Sequence, residues 1–310
     1  VTVYPLVIRL GPITVTGYGI MMMVAFLVSG WVIQRELRRR GLIEDYAADM
    51  VVAAVIGGII GGKLYYAALY QDSGSLFSRG GLVWYGGFIG GVAAVLLNGW
   101  RRRVPLRFTL EIGAPALAVG YAVGRVGCFL VQDDYGVPTS LPWGMRFPSG
   151  WPPSTVANLS RDFGLTFPPE TPPTDVLAVH PTQLYETALM LLAFWLLWRL
   201  RTHEHAAGWL FGVYLALAGT ERFLIEFVRA KDDRFLGPFT LAQGVSVTIF
   251  AVGVWLMARW SRKDAFALPP EVTVLAPATS PERGSGARGT PSGPRLQPEH
   301  PGQRKAEGRR

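Results

Sequence analysis

The sequence predicts an all-α polytopic membrane protein, with about seven transmembrane helices and a small irregular periplasmic head. Three observations carry that prediction. Half of the 310 residues are hydrophobic and only 17% are charged, which is too apolar for an ordinary soluble domain. Apolar runs of spanning length recur through the first 260 or so residues. Basic residues collect in every second connection between those runs, the distribution that marks cytoplasmic loops.

The runs fall at 13–33, 47–69, 82–100, 106–131, 184–200, 208–228 and 239–259. Arg35, Arg38, Arg39 and Arg40 follow the first, Arg101, Arg102, Arg103 and Arg107 the third, and Arg199 and Arg201 the fifth. A basic tail follows Arg259. These connections are therefore assigned to the cytoplasm, with the N-terminus outside and the C-terminus inside. No cleavable leader is expected, because the first apolar segment runs on as a full span.

The opposite side receives 71–81 and the long segment 132–179, which contains Pro142-Trp143-Gly144 and Trp151-Pro152-Pro153. Prolines at that density oppose a helical span and favour an irregular cap. Trp143 and Trp151 are expected at headgroup level, where indole rings are favoured. From about residue 269 the chain is rich in Pro, Ser, Gly and Arg without periodicity, as in a disordered extension. The expected organisation is four helices in 1–131, the head in 132–179, three helices in 180–260, and a basic cytoplasmic tail in 261–310.

Glycines repeat at four-residue spacing in two spans: Gly57, Gly58, Gly61 and Gly62, then Gly86, Gly87, Gly90 and Gly91. On a helix each set makes a smooth face. Tight helix packing and a groove for a lipid chain are both open readings.

The net charge of +8 does not point to nucleic acid, because the basic residues sit in turns between apolar runs. A single cysteine, Cys128, excludes an internal disulfide and a cysteine-rich metal site. The four histidines lack metal-ligand spacing on a shared segment, and His203-x-His205 lies in a polar turn. No nucleotide fingerprint is present, so neither a cofactor nor a metal is expected.

The chemistry-bearing stretch is Gly124 to Gly136, where a long apolar run closes on Arg125, Asp133 and Asp134. A charge near hydrocarbon marks function when it does not pair, snorkel or meet water. The predicted topology brings other ionisable groups to the same leaflet. His180-Pro-Thr-Gln-Leu-Tyr185-Glu186 opens the fifth span. Glu221, Arg222, Glu226 and Arg229 close the sixth and lead into 231–234, and Tyr85-Gly86-Gly87 begins the third. Converging guanidiniums suit the phosphate of a lipid headgroup. Structural ion pairs, such as Arg222 with Glu226 or Arg125 with Asp133 or Glu186, are a second reading, and a transport pathway is a third. His180 before a proline reads either as a helix-start anchor or as a base.

These blocks resemble the bacterial prolipoprotein diacylglyceryl transferases. The resemblance rests on Gly124-Arg125-x-Gly127-x-Phe129 followed by an acidic residue and Gly136, on His180 to Glu186, and on Arg222-Phe-x-Ile-Glu226-Phe-x-Arg229 with Asp232. Tyr18-Gly19 and Gly86-Gly87-x-x-Gly90 also fit, so it extends from about Tyr18 to Gln243. It implies transfer of the diacylglyceryl group of phosphatidylglycerol to the lipobox cysteine thiol of a preprolipoprotein signal peptide, with glycerol phosphate leaving. It further implies that Arg125 and Arg222 hold the phosphate and stabilise its leaving charge. Tyr18, Asp133, Gly136, Tyr185, Glu186, Glu226 and Arg229 would shape or support the substrate site. No enzyme cysteine is needed, because the partner supplies the thiol.

The chain departs from the family pattern at three places. Tyr85 stands where many members carry a histidine assigned as base, which leaves Tyr85, His180 or the positive field of the arginines to promote the thiolate. Cys128 replaces a common asparagine and reads as a small apolar substitute. Asp133, with Asp134 as a possible stand-in, replaces a longer acid. Alternatives are a phospholipid-binding or lipid-transport relative, and a transferase for another thiol. Against transport, no inverted pair of halves is visible.

Overall fold

A computed structural model describes residues 1–11, 13–71, 74, 83–230, 234–236, 239–261 and 275. A short antiparallel hairpin, β1 (Val7–Leu10) and β2 (Ile13–Thr16), precedes the first helix. Then come α1 (Gly17–Arg39), α2 (Asp45–Tyr70), α3 (Trp84–Arg101) and α4 (Leu106–Val131). A short helix, α5 (Val156–Phe163), lies between α4 and the next long pair, α6 (Thr182–Leu200) and α7 (Trp209–Ile225). A second hairpin, β3 (Arg234–Leu236) and β4 (Phe239–Thr240), leads into α8 (Leu241–Arg259).

Each expected apolar run therefore coincides with a helix. Four of these helices, α1, α2, α4 and α8, are long and apolar enough to cross a membrane. The first run begins too early: 13–16 pairs as a strand, and the helix starts at Gly17. The reason is local. Ile13-Thr14-Val15-Thr16 alternates β-branched residues, which favour strand, and Thr16 then accepts from the Gly19 N–H at 3.2 Å as a helix cap. The last run starts late for the same reason, since Thr240 and Gln243 form a reciprocal capping box that opens α8 at Leu241.

Helix α4 is the axle of the bundle. Half of its most apolar window is buried, against 17–22% in α1, α2 and α8. Its N-terminal half packs Phe108 and Ile112 against Val32 and Leu37 of α1 and Tyr46 of α2. Its middle packs Ala114, Ala118 and Ala122 against Met190 and Leu197 of α6 and Leu210 of α7. The small residues of α4 let those neighbours approach closely. Outward faces stay apolar, as at Leu27 (63% exposed) and Trp255 (62% exposed), which a hydrocarbon surround accommodates without penalty.

The two glycine-rich faces settle against each other. A Cβ on Gly61 would stand 2.3 Å from the Gly86 carbonyl oxygen, and one on Gly90 would stand 2.3 Å from the Gly57 oxygen. At Gly57, Gly61, Gly86 and Gly90 the stripe is helix packing between α2 and α3, and no lipid groove runs between those four residues.

The 132–179 segment carries its own small core of Tyr135, Phe147, Leu159 and Val179. Isolated bridges, among them Met145 with Val179 and Thr155 with Val176, tie it together. Gly136 pairs with Arg229 and donates its N–H to the His180 carbonyl, joining this segment to the ends of α6 and α7. The expected connection at 71–81 lies mostly outside the described residues, as do Lys231, Asp232 and Asp233. Of the expected tail, Leu275 is described: it is buried beside α1, α2 and α4, and its carbonyl accepts from the Ile43 N–H at 2.7 Å. The remainder of 262–310 lies outside the described residues.

Candidate functional site

The last turns of α4 and the residues after them form one wall of a charged cluster, and the first turn of α6 forms another. The end of α7 and the residues that follow it close the third side. Arg125 is 7% exposed, and its guanidinium is shared between two carboxylates. Nη2 donates to Glu186 Oε1 at 2.9 Å, Nε lies 2.6 Å from Glu186 Oε2, and Nη1 donates to Asp134 Oδ2 at 2.9 Å. Arg229 faces the same two acids: Nη2 donates to Asp134 Oδ1 at 3.1 Å, and Nη1 lies 3.7 Å from Glu186 Oε1. Two guanidiniums thus stand side by side on two anions.

The two anions differ in setting. Glu186 is fully buried and also accepts from the Tyr121 hydroxyl at 2.7 Å. Such a carboxylate is held in place, because leaving it uncompensated costs about 3–5 kcal/mol. Asp134 is 44% exposed along its side chain and has a left-handed backbone, φ 56°. Aspartate tolerates that conformation better than most residues. Thr182 Oγ1 donates to its carbonyl at 2.6 Å and fixes the backbone beneath it.

Asp133 is not a partner of Arg125, in contrast to one sequence reading of the ion pairs. Its Oδ1 is buried without a hydrogen bond, while Gln183 Nε2 donates to its main-chain carbonyl. Burial first, and then the charge of Asp134, push its carboxyl up to about 6. Gln132, at φ 65°, ends α4 with both side-chain polar atoms buried and unpartnered, and Gln183 Oε1 is likewise unpartnered. Buried polar atoms of this kind mark space for water or a ligand.

His180 and Tyr185 sit together on this side. Trp143 Nε1 donates to the Tyr185 hydroxyl at 2.7 Å, and that hydroxyl lies 3.2 Å from His180 Nδ1. Burial lowers the pKa of His180, which favours its uncharged ring. Gly136 is required by crowding, since a Cβ there would meet the Val228 oxygen at 2.2 Å and His180 Cβ at 2.8 Å. Tyr18 crosses Gly127, whose added Cβ would lie 3.3 Å from the Tyr18 Cα, so the first turn of α1 closes the end of α4.

Two expected residues stand apart. Arg222 Nη2 lies 2.6 Å from Glu226 Oε2, four residues on, so Arg229 and not Arg222 shares the anions of Arg125. Tyr85 is 64% exposed on α3, edge-on to Trp84. Sequence reading passed over Tyr121, although it lies one turn before Arg125 on the same helix face, where i and i+4 side chains meet. It also treated Trp143 only as a headgroup anchor. Cys128, Asp133 and Asp134 bring ligand atoms within 4.8 Å of one another. Arg125 Nη1 donates to both the Cys128 sulfur (3.3 Å) and Asp134, and a guanidinium on those atoms disfavours a cation there.

The prolipoprotein diacylglyceryl transferase family model matches residues 5–259 of the chain. Among similar proteins is the phosphatidylglycerol–prolipoprotein diacylglyceryl transferase of Geobacter sulfurreducens, 31% identical over 84% of this chain and 96% of that one. The enzyme of the same name from Nitratidesulfovibrio vulgaris is 31% identical over 82% and 93%. That of Trichormus variabilis is 32% identical over 82% and 90%.

Proposed function

The chain belongs to the prolipoprotein diacylglyceryl transferase family, and on that premise we propose that it lipidates the cysteine of a preprolipoprotein lipobox with phosphatidylglycerol. The thiolate sulfur bonds to the glyceryl carbon that carries the phosphate, and the carbon–oxygen bond to that phosphate breaks. The leaving glycerol phosphate takes the electron pair, passing from a phosphodiester with one negative charge to a monoester with more. Catalysis therefore asks for positive charge aimed at the leaving group.

The observation that carries this reading is the side-by-side placement of Arg125 and Arg229 on one pair of carboxylates. Guanidiniums bind phosphate oxygens two at a time. Arg222, on the last turn of α7, adds a third cation at the same end of the bundle and is steadied by Glu226. Tyr121 and Glu186 orient Arg125. Tyr18, Gly136 and Tyr185 shape the space around it, and Asp133 supplies a carboxyl at its edge. Of the groups weighed for the thiol proton, His180 is favoured over Tyr85, because burial favours its uncharged form and it adjoins the site through Tyr185.

The bundle is read as seven spans, with 132–179 as a periplasmic head, the N-terminus outside and the C-terminus cytoplasmic. The alternation of arginine-rich connections supports that orientation. The test is purified protein in detergent with phosphatidylglycerol and a lipobox peptide. Lipidated peptide and glycerol phosphate are expected in equal amounts. Lipid binding without either product would replace the enzyme by a phospholipid-binding relative.

A further inference from the structure

We infer that Asp134 occupies the seat of the substrate phosphate: its carboxylate stands in for the anion on Arg125 and Arg229, swings out when the phosphodiester enters, and returns to expel the phosphate product. The inference rests on the phosphate-clamp reading above and gives a role to the exposed carboxylate of its pair.

Four features lead to it. Asp134 presents one oxygen to each guanidinium, Oδ2 to Arg125 at 2.9 Å and Oδ1 to Arg229 at 3.1 Å. That two-point bridge is the one a phosphate makes with two arginines. The other anion on the pair, Glu186, is wholly buried and held by Tyr121, so it does not yield. Asp134 is nearly half exposed while the two guanidiniums it bridges are largely buried, so of the two anions it is the one that solvent, and hence another anion, can reach. Its backbone is pinned by Thr182 Oγ1, and two residues on the Gly136 N–H donates to the His180 carbonyl. Displacement therefore needs only a side-chain rotation and no refolding of the loop.

The arrangement has a kinetic consequence. Without Asp134, two adjacent guanidiniums would hold the doubly charged product more tightly than the singly charged substrate. A resident carboxylate competes for the same donors, so it weakens both states and speeds product release. Affinity is exchanged for turnover.

The test uses full-length Asp134→Asn in detergent micelles, with phosphatidylglycerol and a lipobox peptide. Asparagine keeps the shape and removes the charge. KM for the lipid is expected to fall at least fivefold, inhibition by free glycerol phosphate to tighten by a similar factor, and kcat to drop as release slows. Asp162→Asn, on α5 and paired with Arg161, makes the same formal charge change in the 132–179 segment and controls for long-range electrostatics. Its lipid KM is expected to move less than twofold. An unchanged or raised KM in folded Asp134→Asn overturns the inference. So does a KM fall of equal size in Asp162→Asn, or tightening toward free glycerol phosphate or inorganic phosphate with no change toward the lipid. Asp134→Ser serves if the asparagine variant does not fold, and the same outcomes are read from it. An inactive wild type that binds no phosphatidylglycerol would remove the underlying clamp reading instead, so the two failures are distinct.

Discussion

The two ends of α4 both bury carboxylates against arginines, yet they are finished differently. At the N-terminal end Glu36 takes Arg39 and Arg40, with Arg201 beyond at 3.6 Å. Glu111 accepts from the Gly208 and Leu210 N–H groups at 2.8 and 3.1 Å, and pairs with His203 at 2.7 Å. All four carboxylate oxygens there have fixed partners, two of them main-chain groups at the start of α7. About 21 Å along the helix from Glu111, the Arg125 end leaves Asp134 half exposed and keeps orphaned polar atoms on Gln132, Asp133 and Gln183. The first cluster is closed by main-chain donors, although Arg201 Nε beside it is also buried without a hydrogen bond; the second, with its solvent-facing anion, is the one proposed above to take a ligand.

The sharpest way to break this contrast is Arg125→Ala. Transfer is expected to vanish, by at least about a thousandfold. Because Glu186 would lose its closest cation and keep only Tyr121 and the more distant Arg229, the folded state should also lose about 3 kcal/mol. Product analysis and thermal unfolding of the detergent-solubilised protein read the two effects separately. Arg125→Lys keeps the charge and discards the fork. It is expected to recover much of the stability while transfer stays on the order of a hundredfold down, since a point charge does not reproduce bidentate contact.

Glu111→Ala probes the opposite end. Two helix-start N–H groups and His203 lose their acceptor, so stability should fall by about 2–4 kcal/mol. Transfer per folded molecule is expected to stay within twofold. If Glu111→Ala abolished transfer in folded protein, the division into an architectural end and a reactive end would fail.

A smaller effect separates the two acids after α4. Burial and Asp134 raise the Asp133 carboxyl to about 6, above its usual 3.8. The folded state therefore holds a proton that the unfolded state has released, and stability from this residue declines as pH rises between about 4 and 6. Asp133→Asn should flatten the pH dependence of thermal unfolding across that window. A profile that stays steep there would contradict the assigned burial. The smallest change expected is Tyr85→His, within about threefold of wild-type turnover, because the exposed ring makes its contact with Trp84. His180→Gln, read in the same assay, should lower turnover about a hundredfold if the histidine takes the thiol proton.

The helices and most of the candidate site were legible before any coordinates. Apolar runs of about 20 residues announce helices because lipid leaves the backbone no other partner than itself. The Gly124–Gly136, His180–Glu186 and Arg222–Arg229 blocks stand out because charges beside hydrocarbon are rare. Local chemistry at Thr16 and Thr240 was present in the sequence too, but a hydropathy run does not report a cap.

Other questions were decided only by packing. Whether the glycines of α2 and α3 meet each other or a lipid depends on which faces touch, and four glycines proved to be in contact with the opposing backbone. That Arg125 pairs with Asp134 and not its neighbour Asp133 depends on two left-handed residues, Gln132 and Asp134, just past the end of α4. The choice of Arg229 over Arg222 as its companion depends on where α7 stops. Composition and spacing specify which groups exist and near which helix ends they fall. Direction is a three-dimensional quantity, set by how three chain segments converge, and it determines which carboxylate is buried and which faces solvent.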